Sequence, residues 1–290
     1  MRNYLPALIF CLLLFFPLSY SHAQPSAEKG PVVELGIDHA FDARIKGSDT
    51  EVSRTRYRIK GSYSFLTLGY DHVRYSWDDH RDADLAAEGR TPWEGLHHVY
   101  ISADRMIPLN KQWMLSLGGG AASSFEKEVS DSFGVAARVI LIRQFEKGWA
   151  AGIGVVGAYH PVRTLVLPGA SISYGVTKGP GWSVRAGFPR TKVRYGISDK
   201  LALRAAADYR ARIFRLKNDS PVAEKGYFRK REVKLGLQLE AKPARNMVLT
   251  AGPYYLFARK WRIYDQDENR ITSENLKSSP GVEASLSWRF

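Results

Sequence analysis

A short stretch near residue 80 carries four carboxylates and an imidazole, on Asp78, Asp79, His80, Asp82 and Asp84. Clustered carboxylate oxygens can bind a hard cation such as Ca²⁺. The spacing does not match a calcium-binding loop, which uses a Gly at its sixth position and a Glu at its twelfth. A solvated surface loop is therefore the favoured interpretation, with a cation site as the alternative.

Histidines and serines are the residues that would support nucleophilic catalysis in a chain of this composition. His97 and His98 are adjacent, so on a strand they point to opposite faces and cannot both serve one site. His160, Ser102 and Ser171 are further candidates by residue type alone. The sequence has no G-x-S-x-G elbow, no HExxH zinc motif and no P-loop. We therefore predict no catalytic site and no cofactor, and we keep a lipid hydrolase or protease as the least favoured function.

Basic side chains recur at every second position in three parts of the chain. They are Arg56, Arg58, Lys60, Lys192, Arg194, Arg204, Arg210 and Arg212. If the alternating apolar residues face lipid, these basic residues line an interior, together with Lys234 and the acidic residues Asp208, Glu232 and Glu240. Two interpretations stay open: paired charges that fill a plugged interior, or a pore that favours anions.

Two further basic clusters fall where strands are predicted to end. The first is Arg229, Lys230 and Arg231, and the second is Arg259, Lys260 and Arg262. Arginine binds phosphate through forked hydrogen bonds, so these clusters are candidates for contact with lipopolysaccharide. The alternative is ordinary solvated charge.

The elements that would position these residues are β-strands. The last ten residues, GVEASLSWRF, alternate apolar and polar without a break, from Val282 to Phe290. Similar alternation runs through residues 201–213 and 232–241, and helix signals are nearly absent. Strands put alternate side chains on opposite faces, so the pattern predicts a wall that is apolar on one side and polar on the other.

Aromatic spacing favours a membrane-spanning wall over a soluble sandwich. Trp149 and Tyr159 bound an apolar row, and ten residues rise about 33 Å along a strand. Tilted by about 40–45°, this gives roughly 24 Å of height, close to the apolar band between the two aromatic girdles of a membrane barrel. Trp288 and Phe290 are assigned to the same girdles.

The start of the chain reads as a secretory signal. Residues 1–23 combine Arg2, an apolar run of about 14 residues and a small-x-small site at Ser21 and Ala23. The only cysteine, Cys11, lies within it. Residues 24–290 are then one barrel domain, and no stretch of this domain is apolar enough for a spanning helix. The net charge of +13 accompanies no nucleic-acid recognition motif.

Short and long connections alternate along the chain. Placing all short turns on one side splits residues 57–77 and 182–197 into extra strands, and the count becomes about 14, with 12 as the alternative. An even number places both termini in the periplasm. One stretch resists this pattern, because its apolar face changes between Tyr70 and Val73, which predicts a bulge or a different strand boundary.

Residues 165–216 resemble a family of uncharacterised bacterial outer-membrane β-barrels. The resemblance lies in Leu167-Pro168-Gly169, in Trp182 with Gly187-Phe188-Pro189, in Arg194-Tyr195 and in Arg215. It implies an up-and-down transmembrane barrel in the outer membrane of a Gram-negative cell, and no activity. The terminal Phe290 also resembles the C-terminal signal read by the barrel assembly machinery, which makes this machinery an expected partner.

These observations together predict a structural or narrow channel-forming barrel with a basic lumen, for which small anionic solutes are candidate partners. The first alternative is a barrel that binds lipopolysaccharide or another surface ligand through its outer loops. The second is the outer-membrane hydrolase or protease.

Overall fold

The computed structural model describes residues 30–78, 85, 90–175 and 179–290. The predicted signal at 1–23, the domain boundary at residue 24, and all of the acidic stretch except Asp78 lie outside the described residues. The described chain forms fifteen strands: β1 Val32–Arg44, β2 Glu51–Tyr63, β3 Leu66–Asp78, β4 Gly95–Pro108, β5 Trp113–Phe125, β6 Phe133–Gln144, β7 Trp149–Tyr159, β8 Leu165–Gly175, β9 Gly181–Gly187, β10 Arg190–Gly196, β11 Leu201–Arg215, β12 Tyr227–Ala244, β13 Met247–Tyr264, β14 Arg270–Asn275 and β15 Ser279–Arg289.

The strands form one closed antiparallel barrel. Each strand from β1 to β13 pairs with the next, β13 pairs with β15, and β15 pairs with β1. The short β14 pairs with the end of β13 and continues the line of β15, so fourteen strands make the wall. This confirms the larger predicted count and both predicted strand splits, at residues 64–65 and 188–189.

The side-chain alternation of the wall separates an apolar outside from a polar inside. On β12, Leu235, Leu237 and Leu239 are exposed on the outside, while Lys234 and Gln238 between them are buried inside. The same pattern holds for β2, whereas β7 alternates in exposure but carries only Ala, Gly and Val on its inner face. The molecule is thus a transmembrane β-barrel, because a band of exposed apolar side chains is stable only against lipid. No helix in the described residues is long and apolar enough to cross a membrane.

The two ends of the barrel differ. We call the end with the short connections and both described termini the turn end, and the opposite end the loop end. On β3, Leu66, Leu68 and Tyr70 face outward, whereas Val73 and Tyr75 face inward and are buried. The β2–β3 register runs without a shift over this stretch, so the predicted bulge or boundary is wrong. The apolar face changes because the strand leaves the lipid and enters a buried apolar core at the loop end.

The barrel is narrower at the loop end. The strands β9 and β10 have only seven residues each, and the last part of β11 has no partner from β10. At that level the end of β11 pairs with the end of β5, where Arg215 lies opposite Phe125. The backbone N–H of Glu126 donates to the carbonyl of Arg215 at 2.8 Å. At the loop end, the ring of strands therefore closes through β5 and β11, without the strands β6 to β10.

Candidate functional site: the barrel interior and its rim

All eight basic residues predicted to line the interior point inward. At mid-height, four of them, Arg56, Arg58, Arg210 and Arg212, form a layer of ion pairs with inward carboxylates. Arg56 pairs with Asp38, and Asp71 receives Arg58 at 3.0 Å and Arg212 at 3.0 Å. Arg210 lies 3.6 Å from Asp208. We call this set the charge layer.

Two ion pairs of the charge layer cross the lumen. Arg212 on β11 and Asp71 on β3 sit six strands apart around the ring, and Arg54 on β2 meets Glu232 on β12 at 2.8 Å. The side chains of Arg54 and Glu232 are each only 3% exposed. Water therefore does not reach this pair, and the lumen is filled there. This arrangement corresponds to the first of the two interpretations, a plugged interior.

Arg54, which the sequence analysis missed, and Lys234 complete the layer. Arg54 extends the alternation of Arg56, Arg58 and Lys60 by one inward position, so the same pattern would have identified it. Lys234 pairs with Glu283 at 2.6 Å and lies 3.7 Å from the centre of the Tyr254 ring. These two neighbours lie on other strands, so the contacts of Lys234 could be identified only from the three-dimensional structure.

An apolar cluster seals the loop end above the charge layer. It comprises Ile45, Val52, Val73, Tyr75, Leu85, Trp93, Leu96, Phe214, Leu216, Ala223, Phe228, Trp261, Ile263 and Leu276, and we call it the mouth cluster. Two of its members, Leu85 and Trp93, come from the long β3–β4 connection rather than from the wall. Trp93 packs 4.2 Å from Phe228, ring centre to ring centre, and its carbonyl accepts the Trp77 indole N–H at 2.6 Å.

The interior below the charge layer, towards the turn end, is accessible to water. Lys60 keeps 24% of its side chain exposed, and Arg58, at the lower edge of the charge layer, keeps 29%. The inward residues of β8 to β11 are also partly exposed, including Lys192 and Arg204. We call this space the turn-side chamber.

The chamber wall at β9 to β11 carries a local excess of positive charge. Arg185 lies opposite Lys192, and Arg194 lies opposite Arg204, all on the inner face. Arg194 pairs with Glu240 at 3.3 Å, whereas Arg204 donates to the neutral amide oxygen of Gln238 at 2.7 Å. Among the described residues Lys192 has no ion pair. Arg185 was not predicted, although it alternates with Trp182 and Val184.

The predicted rim clusters are split by the strand alternation. Arg229 and Arg231 on β12, and Lys260 and Arg262 on β13, face outward. Lys230 and Arg259 face inward and are buried, so their assignment to the lipid-facing rim is wrong. Lys230 lies 3.4 Å from the Tyr75 hydroxyl, and Arg259 donates to Ser279 at 2.9 Å.

The four predicted girdle residues all face outward. Trp149, Trp288 and Phe290 lie at the turn end, and Tyr159 lies at the other end of β7. The sequence analysis missed other turn-end aromatics that complete this girdle. Tyr174 contacts Trp149, and Trp182 contacts Tyr195, at 4.6 and 4.7 Å between ring centres.

The histidine candidates do not form an accessible catalytic site. His98 Nδ1 lies 2.7 Å from Ser124 Oγ, and its strand neighbour is Asp71, so residue types of a triad meet inside the barrel. His98 is completely buried, however, and two arginines occupy Asp71. His97 is on the outer face, stacked on His72 at 4.8 Å. His160 lies in the β7–β8 connection, where burial lowers the pKa of its imidazole to about 4.

Comparison with known proteins places the chain in a family. Residues 87–289 match the model of a family described as domain of unknown function DUF6268. The chain belongs to this family. No curated protein matches it.

Several solved outer-membrane barrels are similar to the chain in architecture. An outer membrane channel from Pseudomonas putida F1 has 8% identity and a TM-score of 0.46, with 96% of this chain and 100% of that chain covered. A KdgM porin has 8% identity and a TM-score of 0.36, over 89% and 99%. The translocator domain of the autotransporter NalP from Neisseria meningitidis has 11% identity and a TM-score of 0.37, over 90% and 89%. The fold assignment rests on the closed sheet itself, because these similarities are low.

Proposed function

We propose that the protein is an outer-membrane barrel, with its turn end in the periplasm, that holds small anionic solutes in the turn-side chamber. The barrel passes them only when the mouth cluster opens. The observation that carries this proposal is the difference between the two halves of the interior. The ion pairs that cross the lumen in the charge layer are largely buried, whereas the chamber is partly exposed and two of its cations, Lys192 and Arg204, have no carboxylate partner among the described residues.

The register of the chamber wall supports an anion as the ligand. Like charges directly opposite each other on neighbouring strands destabilise a sheet. The Arg185–Lys192 and Arg194–Arg204 neighbours place two such contacts side by side. A carboxylate or phosphate between them would relieve the repulsion, and arginine would bind it through two parallel hydrogen bonds. A neutral solute would gain neither effect.

The origin of the seal supports a removable closure. Leu85 and Trp93 belong to a connection, so their withdrawal leaves every wall strand paired. Beneath them the cross-lumen pairs of the charge layer must also separate. The protein is thus a closed barrel in this conformation, and its channel function depends on opening the loop end.

The test is single-channel conductance of refolded protein in a planar bilayer under a salt gradient. The wild-type barrel should be silent or open rarely. A Leu85→Ala/Trp93→Ala variant should open more often, with a reversal potential on the anion side. The matched control is Asp267→Ala, an exposed position in the β13–β14 connection. Silence of the double variant would contradict the assigned closure.

The chamber cations are tested in the opened background. Adding Lys192→Gln and Arg204→Gln should move the reversal potential towards the cation side. Adding Arg105→Gln and Arg143→Gln removes two exposed cations from outer wall positions near the turn end instead, and should leave the potential unchanged. An equal shift of the reversal potential in both variants would show that the chamber cations do not determine the ion selectivity.

A further inference from the structure

The outer surface near the loop end carries a compact group of cations that plays no part in the lumen. It consists of Arg229, Arg231, Lys260 and Arg262, and we call it the exterior cation cluster. Arg229 lies directly opposite Arg262, and Arg231 lies opposite Lys260, on two hydrogen-bonded strands. Four positive charges therefore occupy two adjacent cross-strand pairs.

A bulge in β13 produces this arrangement. Phe257 faces outward, and Ala258 is an extra residue with a positive φ of 50°. The extra residue shifts the alternation, so Arg259 points inward while Lys260 and Arg262 point outward. The register between β12 and β13 shifts at the same place. The cations of both strands are thereby brought to one face.

The cluster begins where the apolar band ends. On β12 the next outward residue after Arg231 is Val233, followed by Leu235, whose side chain is 52% exposed. On β13 the outward residues before the bulge are Tyr255 and Phe257, both exposed. Two residues along a strand cover about 6.6 Å, so the cations lie at the depth of lipid headgroups.

No carboxylate of the described residues neutralises the charges of the cluster. None of the four forms an ion pair with a described residue. Arg229 is only 8% exposed, and the Tyr264 side chain lies close to both Arg229 and Arg262. Arg163 of the β7–β8 connection adds a further positive charge beside Arg229. Like charges so close need a counter-ion, since their mutual repulsion is unfavourable.

We propose that the exterior cation cluster is a binding site for the phosphate groups of a lipid in the loop-side leaflet. The lipid is a phosphorylated glycolipid of the lipopolysaccharide type, whose acyl chains lie on the apolar surface of β12 and β13 below the cations. Arginine matches phosphate geometry through its planar fork of donors. The apolar surface directly beneath favours a membrane lipid over free phosphate. This site rests on the orientation proposed above, with the turn end in the periplasm, but it is independent of the lumen and of the proposed channel.

The test measures lipid retention by native mass spectrometry of the full-length mature protein in detergent, with bisphosphorylated lipid A as the probe. The Arg229→Gln/Arg262→Gln variant should bind at least about tenfold more weakly, the loss of one to two charge-assisted hydrogen bonds. The control is Arg105→Gln/Arg143→Gln, which removes the same charge from outer wall positions near the turn end and should bind as the wild type does. Equal binding by wild type and the first variant, or equal loss in both variants, would overturn the proposal.

Two further experiments test whether the arginine geometry matters and whether the ligand is a lipid or free phosphate. Arg229→Lys/Arg262→Lys keeps the charge, removes the forked geometry, and should give an intermediate loss in a barrel that folds. Inorganic phosphate should compete only at concentrations far above those of the lipid. Competition at equal concentration would mean that free phosphate is the ligand and that the acyl chains contribute nothing.

Discussion

At the scale of single residues, the interior depends on a few carboxylates that each serve several cations. Asp71 lies within 4.0 Å of Arg56, Arg58 and Arg212. Removing a buried carboxylate therefore leaves more than one charge without a partner, in a region that water does not reach. The resulting loss of stability comes from the buried cations that no longer have a partner, and not from the lost attraction within the pair itself.

The Arg54–Glu232 pair tests this asymmetry. Glu232→Gln should lower the free energy of unfolding by about 3 kcal/mol, because it leaves Arg54 charged and buried. Replacing both residues, as Arg54→Met/Glu232→Leu, should restore most of this loss. The measurement is urea unfolding in detergent micelles, followed by tryptophan fluorescence.

A surface pair provides the control for that experiment. Glu51 pairs with Arg44 at 3.2 Å, but both side chains are more than a third exposed. Glu51→Gln should change the stability by less than about 0.5 kcal/mol. A single Glu232 variant as stable as the wild type would mean that water enters the charge layer.

At the scale of elements, local alternation predicted the strands, and contacts distant in sequence determined the exceptions. The lipid-facing rows, the strand count and all eight lumen cations followed from period-2 patterns. The inward orientation of Lys230 follows from the same alternation on β12, since its neighbours Arg229 and Arg231 face out, although the sequence analysis assigned it to the rim. The inward orientation of Arg259 does not follow from alternation. Arg259 depends on the bulge at Ala258, which no local sequence signal marks.

The face change in β3 could not be interpreted correctly for a related reason. Val73 and Tyr75 are apolar on the inner face because they meet Phe228 and Trp261 from distant strands. From one strand alone, an apolar residue facing lipid cannot be distinguished from one facing a core. The β5–β11 closure is equally invisible locally, because it joins residues about ninety positions apart.

The bulge at Ala258 gives a prediction at this scale. A left-handed conformation is unfavourable for alanine by roughly 1 kcal/mol and is free of this penalty for glycine. Ala258→Gly should therefore leave the stability unchanged or raise it by up to about 0.5 kcal/mol. Ala258→Val should lower it by more than about 1 kcal/mol, since a branched side chain is less tolerant of a positive φ.

Urea unfolding of these two variants distinguishes the bulge from ordinary strand geometry. In an ordinary strand the order would be reversed, because β-branched residues are favoured there and glycine is not. A valine variant more stable than the glycine variant would therefore contradict the assigned backbone conformation. Ala251→Val on the same outer face of β13 is the control, and it should be tolerated.

At the scale of the whole molecule, the surroundings of the side chains change along the barrel axis, both inside and outside the wall. Lipid surrounds the apolar band, while the interior passes from a wet basic chamber through buried charges to a dry mouth. The exterior cation cluster marks one edge of the band, and the aromatic girdle of the turn end marks the other. Both described termini lie at the turn end, where the backbone N–H of Phe290 donates to the carbonyl of Pro31 at 3.0 Å.

The terminal aromatic ring contributes little to this architecture, which makes its proposed role in assembly testable. The Phe290 side chain is 71% exposed and contacts Trp288 only at 6.5 Å between ring centres. If the ring is read by the assembly machinery, Phe290→Ala should reduce the amount of barrel in the outer membrane of cells several-fold. The same variant refolded in detergent should be as stable as the wild type, because the ring packs against little of the protein.

Phe133→Ala is the control: it removes a comparably exposed outward ring at the loop end and should assemble normally. Equal loss in both variants would show that outer aromatics act as membrane anchors, and full assembly of Phe290→Ala would show that the terminal ring carries no signal.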